Sequence, residues 1–184
     1  LSPTDPGLTE PERALRLAIR LRSGSEDARS LLTTWSGSSD SRERKRVAEA
    51  AAYANSGPLL AQLLRDPDPE VRRIALASGP ESQAPEVLEA TVAALGDDKI
   101  RNEAVGALVR WGRPAIPPLR ARLAKADPVE RRLILRIFSF VRDPGAVASL
   151  WEHAGRPETA DEAIQGLVRL RAQWPQGVAA PSGF

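Results

Sequence analysis

An Asp and an Arg four residues apart recur four times along this chain at nearly constant intervals. The pairs are Asp40/Arg44, Asp68/Arg72, Asp97/Arg101 and Asp127/Arg131, with steps of 28, 29 and 30 residues from one Asp to the next (40 to 68, 68 to 97, 97 to 127). A period of this length marks a stack of supersecondary units, each too small to bury its own apolar face. Such arrays present extended surfaces to partners more often than they enclose pockets for chemistry.

Helical signals fill the intervals. Apolar residues at helical spacing predict segments over 8–22, 25–35, 40–54, 58–65, 68–77, 85–95, 100–111, 114–126, 129–141, 146–154 and 158–173. Gly, Pro, Ser and Asn punctuate them, and Ser78-Gly79-Pro80 is expected to stop the fifth. No hairpin dipeptide separates alternating apolar runs, so strands are not expected. Each repeat Asp stands where a helix begins and is expected to cap it, accepting from free N–H groups at the positive end of the dipole. Arg one turn later is on the same face. An isolated exposed pair of this kind contributes only about 0.3–0.5 kcal/mol. Its recurrence is better explained if stacking sets one unit's Arg against the next unit's Asp, as a ladder that fixes register. Three residues after each Arg stand Val47, Ala75, Ala104 and Ile134, and seven after stand Ala51, Gly79, Leu108 and Phe138. These are the expected core. A fifth unit has Pro157 and Asp161 at the paired positions and is expected to keep Ile164 and Val168 inside, as a terminal cap.

The segments Arg65-Asp66-Pro67-Asp68-Pro69-Glu70-Val71-Arg72-Arg73-Ile74-Ala75-Leu76 and Trp111-Gly112-Arg113-Pro114-Ala115-Ile116-Pro117-Pro118-Leu119 resemble the two halves of a HEAT repeat of the short, bacterial, bilin-lyase-associated type. The resemblance covers roughly residues 25–173. It implies an all-α, right-handed α-solenoid (armadillo-like) of about five helix-turn-helix repeats, whose second helices line the concave face, with residues 8–22 as an N-terminal capping helix. The expected organisation is a linker over 1–7, one solenoid domain over 8–174 and a flexible tail or linker over 175–184. Similar arrays serve as protein scaffolds, as bilin lyases and as one group of alkylpurine DNA glycosylases.

Composition narrows the function classes. Cysteine is absent, which removes disulfides, thiolate nucleophiles and Cys-based metal sites. Methionine is absent even at position 1, which predicts an excised domain or a processed chain. No run approaches about 18 apolar residues, so no membrane insertion is expected in this segment, and a cytoplasmic location is expected. The charge of +2 is too small to demand a polyanion, so nucleic acid is not the expected partner. Arg outnumbers Lys 23 to 3. That bias fits either GC-rich coding or a need for forked hydrogen bonds to phosphate or carboxylate.

Catalytic groups are scarce. His153 is the single histidine, has no Gly-x-Ser-x-Gly elbow beside it, and is expected to face solvent near a helix end. Trp35, Trp111 and Trp151 are expected to pack structurally, and Trp174 to pack over the last repeat. No cofactor is expected, nor an enzyme. The candidate site is the concave face, where Lys45, Glu49, Tyr53, Arg73, Asn102, Arg110, Arg132, Arg136, Phe140 and Arg169 fall one residue or five after the repeat Arg, or continue that stripe. The expected function is a noncatalytic scaffold of a larger bacterial protein. It would hold a protein, a peptide or another domain of its parent chain, with Arg73, Arg132 and Arg136 meeting acidic groups. The alternatives are a nucleic-acid module of the glycosylase kind and a bilin-lyase-like enzyme.

Overall fold

The structure, a computed structural model, describes residues 7–179. Most of the expected linker over 1–7 and the end of the expected tail over 175–184 lie outside the described residues. Among those described, the chain forms eleven α-helices and no strand. They are α1 (Glu10–Arg22), α2 (Glu26–Ser36), α3 (Ser41–Ala54), α4 (Gly57–Leu63), α5 (Pro69–Ser82), α6 (Pro85–Ala93), α7 (Arg101–Trp111), α8 (Ile116–Leu123), α9 (Pro128–Phe138), α10 (Pro144–Ala154) and α11 (Ala160–Gln173).

They divide into two compact units, one ending at Glu103 and the other beginning at Ala104. In the first, α1, α3 and α5 pack side by side as one row, and α4 and α6 form a second row against it. In the second, α9 and α11 pack as one row and α8 and α10 as the other. Within each unit this is the helix-pair stacking of an α-solenoid. The first helix behaves as a cap should: α1 lies along α3 and covers the end of the row.

Asp40, Asp68 and Asp127 cap their helices as expected, whereas Asp97 stands in the turn ahead of α7. Asp40 accepts from the Arg42 N–H at 2.9 Å, Asp68 from Glu70 at 2.9 Å, and Asp97 from Lys99 at 3.0 Å. Asp127 accepts from both Val129 and Glu130 at 2.8 Å. Asp40, Asp68 and Asp127 satisfy N–H groups that the first turn leaves without a helical partner, and the Asp97 bond closes the turn that leads into α7. Behind the caps, Val47, Ala51, Ala75, Ala104, Leu108, Ile134 and Phe138 are completely buried, and Gly79 is buried with them. Helix α3 has neighbours on both flanks, and its Ala48, Ala50 and Ala51 let both approach closely.

The repeat Arg residues do a second job that their spacing does not announce. Each guanidinium turns back onto carbonyls five or six residues earlier, in the loop before its own helix. Arg44 donates to Ser38 O (2.7 Å) and Ser39 O (3.2 Å), and Arg72 to Asp66 O (2.5 Å) and Pro67 O (3.1 Å). Arg101 donates to Leu95 O (2.9 Å) and Arg131 to Ala126 O (3.0 Å). Loop carbonyls drawn away from water need donors, and a forked cation supplies several from one side chain.

The ladder holds in part. Arg72 meets Asp97 of the next pair at 2.9 Å. Arg44, however, takes Asp66 at 2.7 Å and not Asp68, which pairs with Lys45 at 3.3 Å. The Asp66-Pro67-Asp68 turn supplies an acid two residues earlier, and that acid is the more buried of the two.

Three expectations are corrected. Ser78-Gly79-Pro80 does not stop α5, which runs through Pro80 to Ser82 and ends at Gln83 in the left-handed region (φ 52). Gly79 has no Cβ to collide with the Pro80 ring, so the residue before proline can stay helical. In α11, Ile164 and Val168 are not in the core but exposed, at 49% and 65%. Ala163, Leu167 and Leu170 are buried in their place, so the helix is turned by one residue. Gly166 is buried on the same face, where an added Cβ would stand 3.0 Å from Leu150 and 3.1 Å from Ser139. Finally, His153 does not face solvent. It is 4% exposed, and its Nδ1 lies 3.1 Å from Thr159 Oγ1.

Of the tryptophans, Trp111 is buried and Trp35 and Trp151 are half-buried. Residues Pro175–Gly177 form a 3-10 turn that sets Gly177 directly against the Trp174 indole, and Val178 is buried beyond it.

Candidate partner-binding face

The candidate residues fall on the row of second helices in each unit. In the first unit, α3 carries Lys45, Glu49 and Tyr53, α5 carries Arg73, and α7 carries Asn102. In the second, Arg110 is near the end of α7, Arg132 and Arg136 are one turn apart on α9, Phe140 follows α9 and Arg169 is on α11.

The first unit neutralises most of its own charge on this row. Lys45 is held by Asp68, whose carboxyl is kept below its usual range first by the Glu70 N–H and then by Lys45. Arg73 donates to Glu103 at 2.8 Å and to Lys99 O at 2.8 Å, and also pairs with Glu70. Those two glutamates stabilise the cation, Glu103 the more strongly. Arg46 bridges to Glu10 on α1, with Nη2 to Oε1 at 3.0 Å. Glu49 is half-buried, and burial together with the nearby Glu10 raises its pKa despite Arg46. Tyr53 is half exposed and Asn102 is exposed. Arg73 thus belongs to an intramolecular network. The signal for half of it was present, since Glu70 stands three residues before Arg73 on one helical face. Glu103, thirty residues away, has no such local mark.

The second unit is different. Arg132 and Arg136 are exposed and make no ion pair among the described residues. Arg110 is also exposed. The Arg169 guanidinium sits over the Phe140 ring at 4.7 Å from its centroid and donates to Ser139 Oγ at 2.5 Å. That ring is 44% exposed. The arrangement offers two unpaired forked cations beside an aromatic surface whose position is fixed by a cation–π contact.

Among the described residues no group of three or more His, Cys, Asp or Glu is placed to hold a metal ion. No described helix is long and apolar enough to cross a membrane.

Among solved structures, the chain is similar to the crystal structure of an engineered protein from a structural genomics consortium. The identity is 20% and the TM-score 0.47, over 88% of this chain and 90% of that one. No curated protein was found to match it. Residues 56–137 match the family model described as HEAT repeats. That span takes in the pairs Asp68/Arg72, Asp97/Arg101 and Asp127/Arg131 with their loop clamps, and by this match residues 56–137 belong to the HEAT-repeat family.

Proposed function

We propose that this chain is a noncatalytic protein-interaction module, and that it holds an acidic protein or peptide segment on the second-helix row of its second unit. The segment belongs to another protein or to another domain of the parent chain. The observation that supports this most is the pair Arg132 and Arg136, exposed, one turn apart and without counter-charges among the described residues, beside the exposed Phe140 ring. Unpaired guanidiniums on a rigid helix recognise carboxylates in two-pronged geometry, and a fixed aromatic face supplies contact area for an apolar anchor. The first unit's cations on the same row are largely spent on its own acids, so its contribution rests on Tyr53, Asn102 and the partly buried Glu49.

Peptide display on the immobilised chain tests this. The expected winners carry two or more carboxylates within a turn or two of an apolar or aromatic residue, and they lose binding to the Arg132→Glu, Arg136→Glu double variant. Winners without acidic residues, or winners that bind the double variant equally well, would overturn the assignment. So would a duplex DNA that binds more tightly than any peptide, with affinity falling steeply as salt rises.

A further inference from the structure

A second polar surface lies elsewhere in the second unit. A cleft of about 510 Å³ is lined by Arg120, Arg131, Ser149, Glu152, His153 and Arg156. Three guanidiniums stand there against one carboxylate. Glu152 pairs with Arg156. Arg131 commits one N–H to Ala126 O and keeps the others. Arg120 is exposed, with no hydrogen bond or ion pair among the described residues. Ser149 gives its proton to Gly145 O at 3.0 Å.

His153 completes the wall. The Thr159 hydroxyl donates to His153 O at 3.1 Å, so its oxygen is free to accept from Nδ1–H at 3.1 Å. That network assigns the proton to Nδ1 and leaves Nε2 as a lone-pair acceptor for whatever enters. Burial keeps this imidazole neutral, and Arg156 and Arg131 act in the same direction against Glu152 and Glu158. The cleft therefore combines surplus cation donors with one neutral acceptor. Few small anions match both. A phosphate or phosphate monoester does, because near neutral pH it presents several anionic oxygens and, when singly protonated, one P–OH donor. Sulfate presents the oxygens without the proton.

We infer that this cleft binds a phosphate group, free or as a small phosphate monoester, with its oxygens shared among Arg120, Arg131 and Arg156 and its hydroxyl donated to His153 Nε2. The site is independent of the partner face on α9 and α11 and stands or falls separately. His153 is the single histidine of the chain, so its imidazole resonances are unambiguous in an NMR spectrum of the intact protein. At constant ionic strength, inorganic phosphate is expected to move those resonances saturably and to raise the midpoint of their pH titration, and sulfate to do so several-fold more weakly. O-Phosphoserine tested beside inorganic phosphate tells a monoester from the free ion. Arg120→Gln is expected to weaken phosphate binding about tenfold, as loss of a charge-assisted contact implies. Arg171→Gln on α11 removes one charge outside the cleft and is expected to leave binding unchanged. A linear, unsaturable response, equal effects of phosphate and sulfate, or equal losses in the two variants would overturn the proposal.

Discussion

Arg44 grips Asp66 with both prongs, Nε to Oδ2 at 2.7 Å and Nη2 to Oδ1 at 3.1 Å, while its remaining nitrogen holds the carbonyls of Ser38 and Ser39. Both side chains are nearly buried, at 10% and 4% exposed. Asp66 also accepts from the Asp68 N–H at 2.8 Å. One ion pair thus joins the loop before α3 to the loop before α5. Asp66→Asn leaves a buried cation without its counter-charge, and the expected loss is about 3 kcal/mol. Arg44→Lys keeps the charge but cannot fork, so it is expected to be destabilising as well. Urea unfolding of the two variants checks this, and a loss below about 0.5 kcal/mol in both would show that the pair does not hold the loops.

The turn of α11 by one residue has its own test. Leu167→Ala empties a buried position and is expected to cost about 2–4 kcal/mol. Ile164→Gln and Val168→Ala change exposed positions and are expected to stay within about 0.5 kcal/mol. The reverse ranking in thermal or chemical denaturation would put Ile164 and Val168 back in the core.

Acidification should weaken the fold through His153. Its ordinary pKa is 6.5, and the folded value is lower, chiefly because of burial. Above about pH 6.5 both folded and unfolded chains keep it neutral. As pH falls through 6.5 the unfolded chain takes the proton first, so stability declines until the folded value is passed and then levels. Unfolding free energies measured from about pH 8 to about pH 5 should show this slope in the parent chain and a shallower one in His153→Gln. Equal slopes would contradict the buried, neutral assignment.

How far the sequence could be read depends on the range of each signal. Three helix starts were legible because Asp capping is local: Asp40, Asp68 and Asp127 each stand at the N-cap, while α7 begins a turn after Asp97. The core positions of the four paired repeats were legible for the same reason, since one face of a helix follows from its own residues. The end of α5 was not, because a Gly-Pro dipeptide reads as a break unless its buried setting is known. The register of α11 failed because the paired charges that anchor the alignment are missing there, and a one-residue offset leaves the apolar pattern plausible. The burial of His153 depends on Thr159 across a turn, and the cleft around it gathers Arg120, Arg131 and Arg156 from segments that share no spacing. On the candidate face, exposure followed from helical position, but which cations were already paired did not. Arg73 finds Glu103 only after the helices stack.

In the proposed division of roles, the repeating Asp and Arg residues build the array while the non-repeating Arg132 and Arg136 serve a partner. It is tested most directly by titrating a display-selected acidic peptide calorimetrically into the parent chain and into the Arg132→Ala, Arg136→Ala variant, with the unfolding midpoint of each recorded. The expected result is at least about a tenfold loss of affinity with stability changed by no more than about 0.5 kcal/mol. Equal affinity for the two chains would contradict it.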